Sequence, residues 1–350
     1  MGKITHFGIT GFLWFALFSA TVAQTPLSGA PGAYSRLGSD GFASSTGNAV
    51  VAMPGLYSSG FENPALPGYN RQSLFYASTF SLGLERQLFS SYGMNPIGPT
   101  GAVSYGIQYF SSGDIDARNN NGEKQDAIST KEITGLFGFS MALKNTPIVV
   151  GVNLKYRYAN LYTEIPSTSS FGIDAGFLWT TKIPNLLVGG SVQDINAEYR
   201  WDTKDIYNEE ANSTIDYFPI RYRLGLSYRI EPISAIFSVE GEHWTYKTER
   251  REFYYSDPPF STLQIKKVPK QKNSGNYLRL GGIWEATDAL SFRAGVDRID
   301  LTYENSDPKI GVGFRFSHHF GKLSPLIDFS YLFEPNGPQN IWVISTGFTY

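Results

Sequence analysis

Charged side chains recur at every second position along this chain, opposite apolar ones. Arg221, Arg223 and Arg229 share one face of an extended segment whose other face carries Tyr222, Leu224, Leu226, Tyr228 and Ile230. Lys155 and Arg157 oppose Val152, Leu154, Tyr156 and Tyr158 in the same way, and Asp328 opposes Ile327, Phe329 and Tyr331. Asp174, Glu240, Glu242, Arg279, Arg293, Asp297 and Arg315 fall on the polar faces of their own segments. If the apolar faces meet lipid, all of these charges point into an enclosed lumen. A ring of one sign there would build an ion-selective pore. The signs are mixed, so the first expectation is a set of cross-strand pairs that hold a wall together.

Enzymatic chemistry finds few of its usual residues. The four histidines are His6, His243, His318 and His319; His318 and His319 are adjacent on one strand, so they point to opposite faces and cannot chelate together. His243 flanks Trp244 and fits an interfacial aromatic region better than a catalytic base. Neither a nucleophile elbow, a phosphate-binding loop nor a His-Glu-x-x-His motif is present. With no cysteine in 350 residues, thiolate nucleophiles, thiolate metal sites and disulfides are excluded together. A net charge of -2 with basic residues at strand spacing gives no electrostatic footprint for nucleic acid. The expectation is a protein without catalytic residues, cofactor, metal or nucleic-acid partner.

The elements that would position the charges are two-faced strands of about ten residues, the length of a tilted bilayer crossing. About fourteen fit the period-two pattern between residues 72 and 350, an even number as expected of a closed transmembrane antiparallel β-barrel. Fold class is therefore all-β. The connections alternate: polar stretches at 112–130, 161–169, 197–217, 247–275, 300–308 and 334–339 follow odd-numbered strands. Turns at 93–99, 144–147, 181–185, 231–232, 286–289 and 321–322 follow even ones. Long connections outside and short ones in the periplasm put both termini on the periplasmic side. The first hairpin, split at Gly83, is the one exception to the alternation.

Targeting supplies the compartment. Lys3, an apolar run at 7–20 and Thr21-Val22-Ala23 form the three regions of a secretory signal, with cleavage expected after Ala23. Residues 24–71, rich in Gly, Ser, Ala and Pro, are too long for a lead-in and are expected to form a compact plug inside the lumen; residues 72–350 form the barrel. In the last strand Trp342, Ile344, Phe348 and Tyr350 share one face, and the chain ends on the aromatic. That arrangement is similar to the signal read by the barrel assembly machinery. The expected setting is the outer membrane of a Gram-negative-type bacterium, with its lipid as the surrounding partner.

The glycine-rich lead ending in Asn63-Pro64-Ala65, followed by about fourteen strands, resembles the FadL superfamily of outer-membrane proteins, in which an N-terminal hatch plugs the lumen. More narrowly, Gly106-Ile107-Gln108-Tyr109-Phe110, Gly113-Asp114-Ile115, Gly151 to Tyr156 and Phe218 to Tyr228 resemble the PorV/PorQ branch. The resemblance implies a non-enzymatic barrel with Asn63, Pro64 and Ala65 as hatch positions. For that branch it implies a role in type IX secretion, where barrels receive or help anchor exported cargo, so secretion-system proteins or cargo are the implied partners. For FadL itself it implies passage of hydrophobic small molecules. The chain departs from the usual pattern in Phe61-Glu62 before Asn63 and Leu66-Pro67 after Ala65.

Overall fold

The computed structural model describes residues 27, 29–54, 59–70, 72–161, 165–202, 214–248, 251–255, 263–267, 271–302, 308–335, 337 and 339–350. The expected signal segment 1–23 lies outside them. Strands follow in chain order: β1 (Leu74–Ser81), β2 (Gln87–Ile97), β3 (Gly101–Ser111), β4 (Lys131–Ala142), β5 (Ile148–Asn160), β6 (Thr168–Thr180) and β7 (Leu186–Ile195). After them come β8 (Glu198–Trp201), β9 (Thr214–Tyr217), β10 (Ile220–Ile230), β11 (Ala235–Thr248), β12 (Arg251–Tyr255) and β13 (Leu263–Lys267). The chain finishes with β14 (Gln271–Glu285), β15 (Leu290–Asp300), β16 (Lys309–Ser317), β17 (Ser324–Phe333) and β18 (Ile341–Thr349). All but β8, β9, β12 and β13 join one closed antiparallel barrel of fourteen strands.

Closure is made by the two ends of the barrel sequence. β1 pairs with β18 from Leu74↔Thr349 to Ser81↔Trp342, which leaves no unpaired edge facing hydrocarbon. Period-two alternation then sets the faces. Tyr222, Leu224, Leu226 and Tyr228 of β10 are exposed to the surroundings, while Arg221 and Arg223 are buried in the interior. Trp342, Ile344, Phe348 and Tyr350 stand on the outer face, where Trp342 packs with Tyr331 at 4.3 Å and Phe329 at 5.3 Å between ring centroids.

Three local expectations need correction or completion. The connection expected at 93–99 is mostly strand, because β2 runs to Ile97 through Pro96. Pro96 is tolerated because β1 ends its pairing opposite Met94, so on that side no carbonyl awaits the missing N–H. The connections 197–217 and 247–275 are not plain loops: each carries a two-stranded hairpin, β8–β9 and β12–β13. β8 shows in four residues the alternation of a strand, Glu198 and Arg200 against Tyr199 and Trp201, but it is too short to stand out from loop. The first hairpin does turn at Gly83, with Gly83, Leu84 and Glu85 all at positive φ and the Leu82 N–H donating to the Arg86 carbonyl at 3.1 Å.

The N-terminal segment threads the lumen. Its helices, Gly41–Ser45 and Leu66–Tyr69, and its 3-10 turn, Ala33–Arg36, have four or five residues each, far below the length at which a helix holds itself in water. The wall supports them. Gly41–Ser45 lies against β15 to β18, and Leu66–Tyr69 against β2 to β6. Between them Ala49, Val50, Val51, Ala52 and Met53 are completely enclosed.

Candidate functional site

The inward faces of the strands meet the threaded segment in a buried interface rich in charge. Three wall clusters compose it. In the first, Asp194 accepts from Arg157 and lies 3.3 Å from Arg221 and 3.4 Å from Lys155, which also pairs with Asp174 at 2.8 Å. Asp174 in turn accepts the Asp194 N–H at 2.9 Å. In the second, Glu240 joins Arg223 at 2.6 Å to Arg279 at 3.0 Å, and Arg279 continues to Glu242 at 2.9 Å and Asp297 at 2.7 Å. In the third, Asp328 holds Arg293 and Arg315, the latter at 3.0 Å, and accepts the Tyr76 hydroxyl at 3.0 Å. Charges out of water demand such pairing, since an uncompensated buried ion costs several kcal/mol.

The structure distributes the expected lumen charges unequally. Lys155, Arg157, Asp174, Arg221, Arg223, Glu240, Glu242, Arg279, Arg293, Asp297 and Asp328 are all buried, and Arg315 is 12% exposed. Arg229 departs from the expectation. It lies at the short-turn rim, about a third exposed, bound to Glu231 at 3.3 Å and Glu285 at 2.5 Å. It shares the inward register of Arg221 and Arg223, but β10 has left the interior by that point.

Asn63, Pro64 and Ala65 sit where the segment touches β5 and β6. The Asn63 amide donates to the Val51 carbonyl at 2.7 Å and the Phe177 carbonyl at 3.0 Å, and its Oδ1 accepts the Ala65 N–H at 3.0 Å. The turn thus pins the segment to itself and to the wall. Two wall glycines permit the approach: a methyl group at Gly176 would lie 2.1 Å from Asn63 Oδ1, and one at Gly151 2.1 Å from the Pro64 carbonyl oxygen. Neither contact is possible for a carbon atom, so any larger residue would displace the turn.

Other groups complete the interface that strand parity did not reveal. Asp194 follows Gln193 and both are buried, which a regular strand forbids. A bulge in the β6–β7 register, with Asp194 at φ 62°, turns it inward. A second irregularity, between β14 and β15, lies near Arg298 at φ 56°, which pairs with Asp297 at 3.1 Å. From the threaded segment itself, Glu62 pairs with Arg223 at 2.7 Å, and Asn48 donates to Asp297 at 3.0 Å. The only sequence signal for Asp194 was its type, since Asp and Asn tolerate left-handed backbone; for Glu62 there was none.

Hydrogen bonds to backbone finish the seam. The Arg223 guanidinium donates to the Asn48 carbonyl at 2.9 Å, Gln193 to the Glu62 carbonyl at 2.8 Å, Asn153 to the Gly60 carbonyl at 2.8 Å and Ser227 to the Ala52 carbonyl at 2.7 Å. Glu240 accepts the Val51 N–H at 3.0 Å. Burial works against the Glu62 carboxylate, yet the charge and hydrogen bond of Arg223, with Arg221 beyond it, bring its pKa below the ordinary value. Arg36 has weaker help: burial, with Arg221 and Arg298 nearby, lowers it to about 10 against the more distant pull of Asp194 and Glu242, and it donates to the Leu27, Ala30 and Pro31 carbonyls.

Two cavities adjoin this seam. One of about 310 Å³ lies at the long-loop end, between Tyr34, Leu37, Leu82, Phe110 and the guanidinium groups of Arg36 and Arg279. Another, of about 430 Å³, opens on the outer face of β1 to β5 among Phe75, Tyr105, Ile107, Phe137, Leu154 and Tyr156. Behind it the Phe61 ring of the threaded segment packs on Tyr92 at 6.2 Å between centroids. Among the described residues no group of three or more His, Asp or Glu is placed to hold a metal ion. The described histidines are occupied otherwise: His243 bonds Asn276 at 2.9 Å, His319 bonds Ser324 at 2.6 Å, and His318 meets Phe320 edge-on.

No protein-family model matches the chain, and no curated protein matches its sequence. Solved structures do. A deltaS2S3 mutant of the monoaromatic hydrocarbon channel TodX is similar over 89% of this chain and 98% of its own, at 9% identity and a TM-score of 0.58. The monoaromatic hydrocarbon channel CymD covers 90% and 97%, at 14% identity and 0.56. A FadL homologue from Pseudomonas aeruginosa covers 90% and 97%, at 12% identity and 0.54. At such identities the likeness is one of fold: the chain has the closed β-barrel architecture of these channels.

Proposed function

We propose that this protein is a non-enzymatic, plugged outer-membrane barrel whose working surface is its long-loop end, an accessory barrel in protein export or surface attachment of the PorV/PorQ kind. In this reading residues 1–23 are a signal peptide, 24–71 the plug and 72–350 the barrel, with Trp342, Ile344, Phe348 and Tyr350 as the face presented to the assembly machinery. The observation that carries it is the packing of the N-terminal segment against the inner wall. Its described residues, 41–54 and 59–69, bond to strands around the wall, and the ion pair of Glu62 with Arg223 is buried between them. Meanwhile two of the long connections carry hairpins of their own, β8–β9 and β12–β13, offering structured surface beyond the barrel.

Deleting residues 251–267 tests the proposal. Loss of co-purification with secretion-system proteins or cargo, with the barrel still assembled, supports it; unchanged co-purification sinks it. A second reading, a passive channel for hydrophobic small molecules, is favoured by one observation, the apolar outward cavity of about 430 Å³ backed by the plug at Phe61. It predicts faster toluene uptake by cells carrying the protein. Equal uptake with and without the gene removes that reading.

A further inference from the structure

The plug holds one buried carboxyl that no cation pairs. Asp40 is 2% exposed, and among the described residues no Lys, Arg or His nitrogen lies within 4.0 Å of its oxygens. Its Oδ1 accepts the Ala43 N–H at 2.7 Å, capping the Gly41–Ser45 turn, and its Oδ2 accepts the Ser39 hydroxyl at 3.3 Å. The Ser39 N–H donates at the same time to Glu62 Oε1 at 3.1 Å. One serine therefore ties two carboxyls together, and only Glu62 has a direct cation, Arg223 at 2.7 Å.

The groups facing Asp40 come from every strand packed on this turn. Arg293 of β15 and Arg315 of β16 are near enough to act through space, but both pair with Asp328 of β17 and lie over the Phe42 ring, at 5.5 and 5.3 Å. β18 contributes the Ser345 hydroxyl, which accepts the Gly41 N–H at 3.3 Å, and β1 contributes Tyr76, whose hydroxyl donates to Asp328. Asp297 of β15 takes Asn48 further along. The wall cations nearest Asp40 are thus already engaged by wall carboxylates.

We propose that Asp40 is a proton-operated latch: protonated, it seats the Gly41–Ser45 turn against β15 to β18, and ionised beside Glu62 it loosens that part of the plug while leaving the wall unchanged. Burial pushes the Asp40 carboxyl from 3.8 up to about 7; Glu62 adds to the rise, and the Ala43 N–H, Arg293 and Arg315 oppose it. The seated state therefore binds a proton that the released state gives up. Seating is strongest at low pH and weakens as pH climbs from the ordinary carboxyl value through about 7, by up to about tenfold per pH unit. The latch operates under either reading of the function.

Hydrogen exchange on the full-length barrel in detergent, followed in peptides covering residues 39–53 and corrected for intrinsic exchange, tests it. Protection should fall at least about tenfold from pH 5 to pH 8, with wall peptides unchanged. In Asp40→Asn, which keeps a capping oxygen, the fall should vanish; in Glu62→Gln its midpoint should move to lower pH. Protection independent of pH in the native chain, or the same fall persisting in Asp40→Asn, overturns the proposal. Titration of the native chain with ¹³C-labelled aspartate carboxyls needs no variant: a midpoint near 7 for Asp40 supports the latch, and an ordinary carboxylate midpoint overturns it.

Discussion

The wall and the segment inside it satisfy their buried polar groups in opposite ways. Each wall strand pairs its backbone with its two neighbours, and its inward charges pair with charges on other wall strands: Arg157 with Asp194, Lys155 with Asp174, Arg279 with Glu240, Glu242 and Asp297, Arg293 with Asp328. The plug has turns too short to be self-sufficient and takes partners from wall side chains. Charge joins the two at Glu62 and Arg223, and Arg223 has Glu240 besides. Taking the plug away would strip no wall cation named here of its wall carboxylate. The wall's ion pairs are self-contained, whereas wall amides and hydroxyls such as Gln193 and Ser227 find their partners on the N-terminal segment, which is held in place by them.

That contrast can be broken at the wall first. Asp194→Ala strips Arg157 and Arg221 of their buried carboxylate, and should cost about 3–5 kcal/mol of barrel stability, read as a lower unfolding temperature by heat-modifiable gel mobility. Next, Gly176→Leu should expel the Asn63 turn while the barrel still closes, at a cost of about 1–3 kcal/mol; proteolysis should cut within residues 59–70 and spare the strands. Equal loss of wall and plug would deny their independence.

Glu62→Gln should loosen the plug by about 1–3 kcal/mol and leave the wall intact, because Arg223 retains Glu240. Since the Glu62 pKa is depressed from 4.5, its contribution is present above that ordinary value and is lost as pH falls through the lower folded value. The difference in exchange of plug amides between native chain and variant should therefore narrow as pH falls below 4.5. The smallest effect belongs outside both regions: Arg118→Ala removes a pair with Asp116 whose side chains are 57% and 47% exposed, and should change stability by roughly 0–1 kcal/mol in thermal unfolding.

Much of the wall was legible because alternation is a local property. Arg221 and Arg223 read as inward, and Tyr222 and Leu224 as outward, from their neighbours alone, and the same pattern located the strands that close the barrel. The hairpins β8–β9 and β12–β13 stayed hidden, since a few alternating residues in water look like loop. The turn expected at 93–99 is mostly strand, because the sequence could not say that β1 begins its pairing only opposite Met94 and leaves Pro96 unpaired on that side. Within the site, Asp194 escaped because a bulge reverses its parity. Glu62 escaped because nothing in a glycine-rich segment announces which residue will meet an arginine 161 positions away.

By itself, then, the order of residues determined the two-faced strands, their number and the sorting of side chains to lipid or lumen, because a β-strand imposes its period of two on each residue regardless of what lies across from it. Only the tertiary structure decided that Asn63 seats on Gly176, that Asp194 turns inward and that Asp40 pairs with no cation among the described residues. Those outcomes depend on groups far apart in the chain meeting inside a closed wall, where burial makes every partner, and every missing one, count.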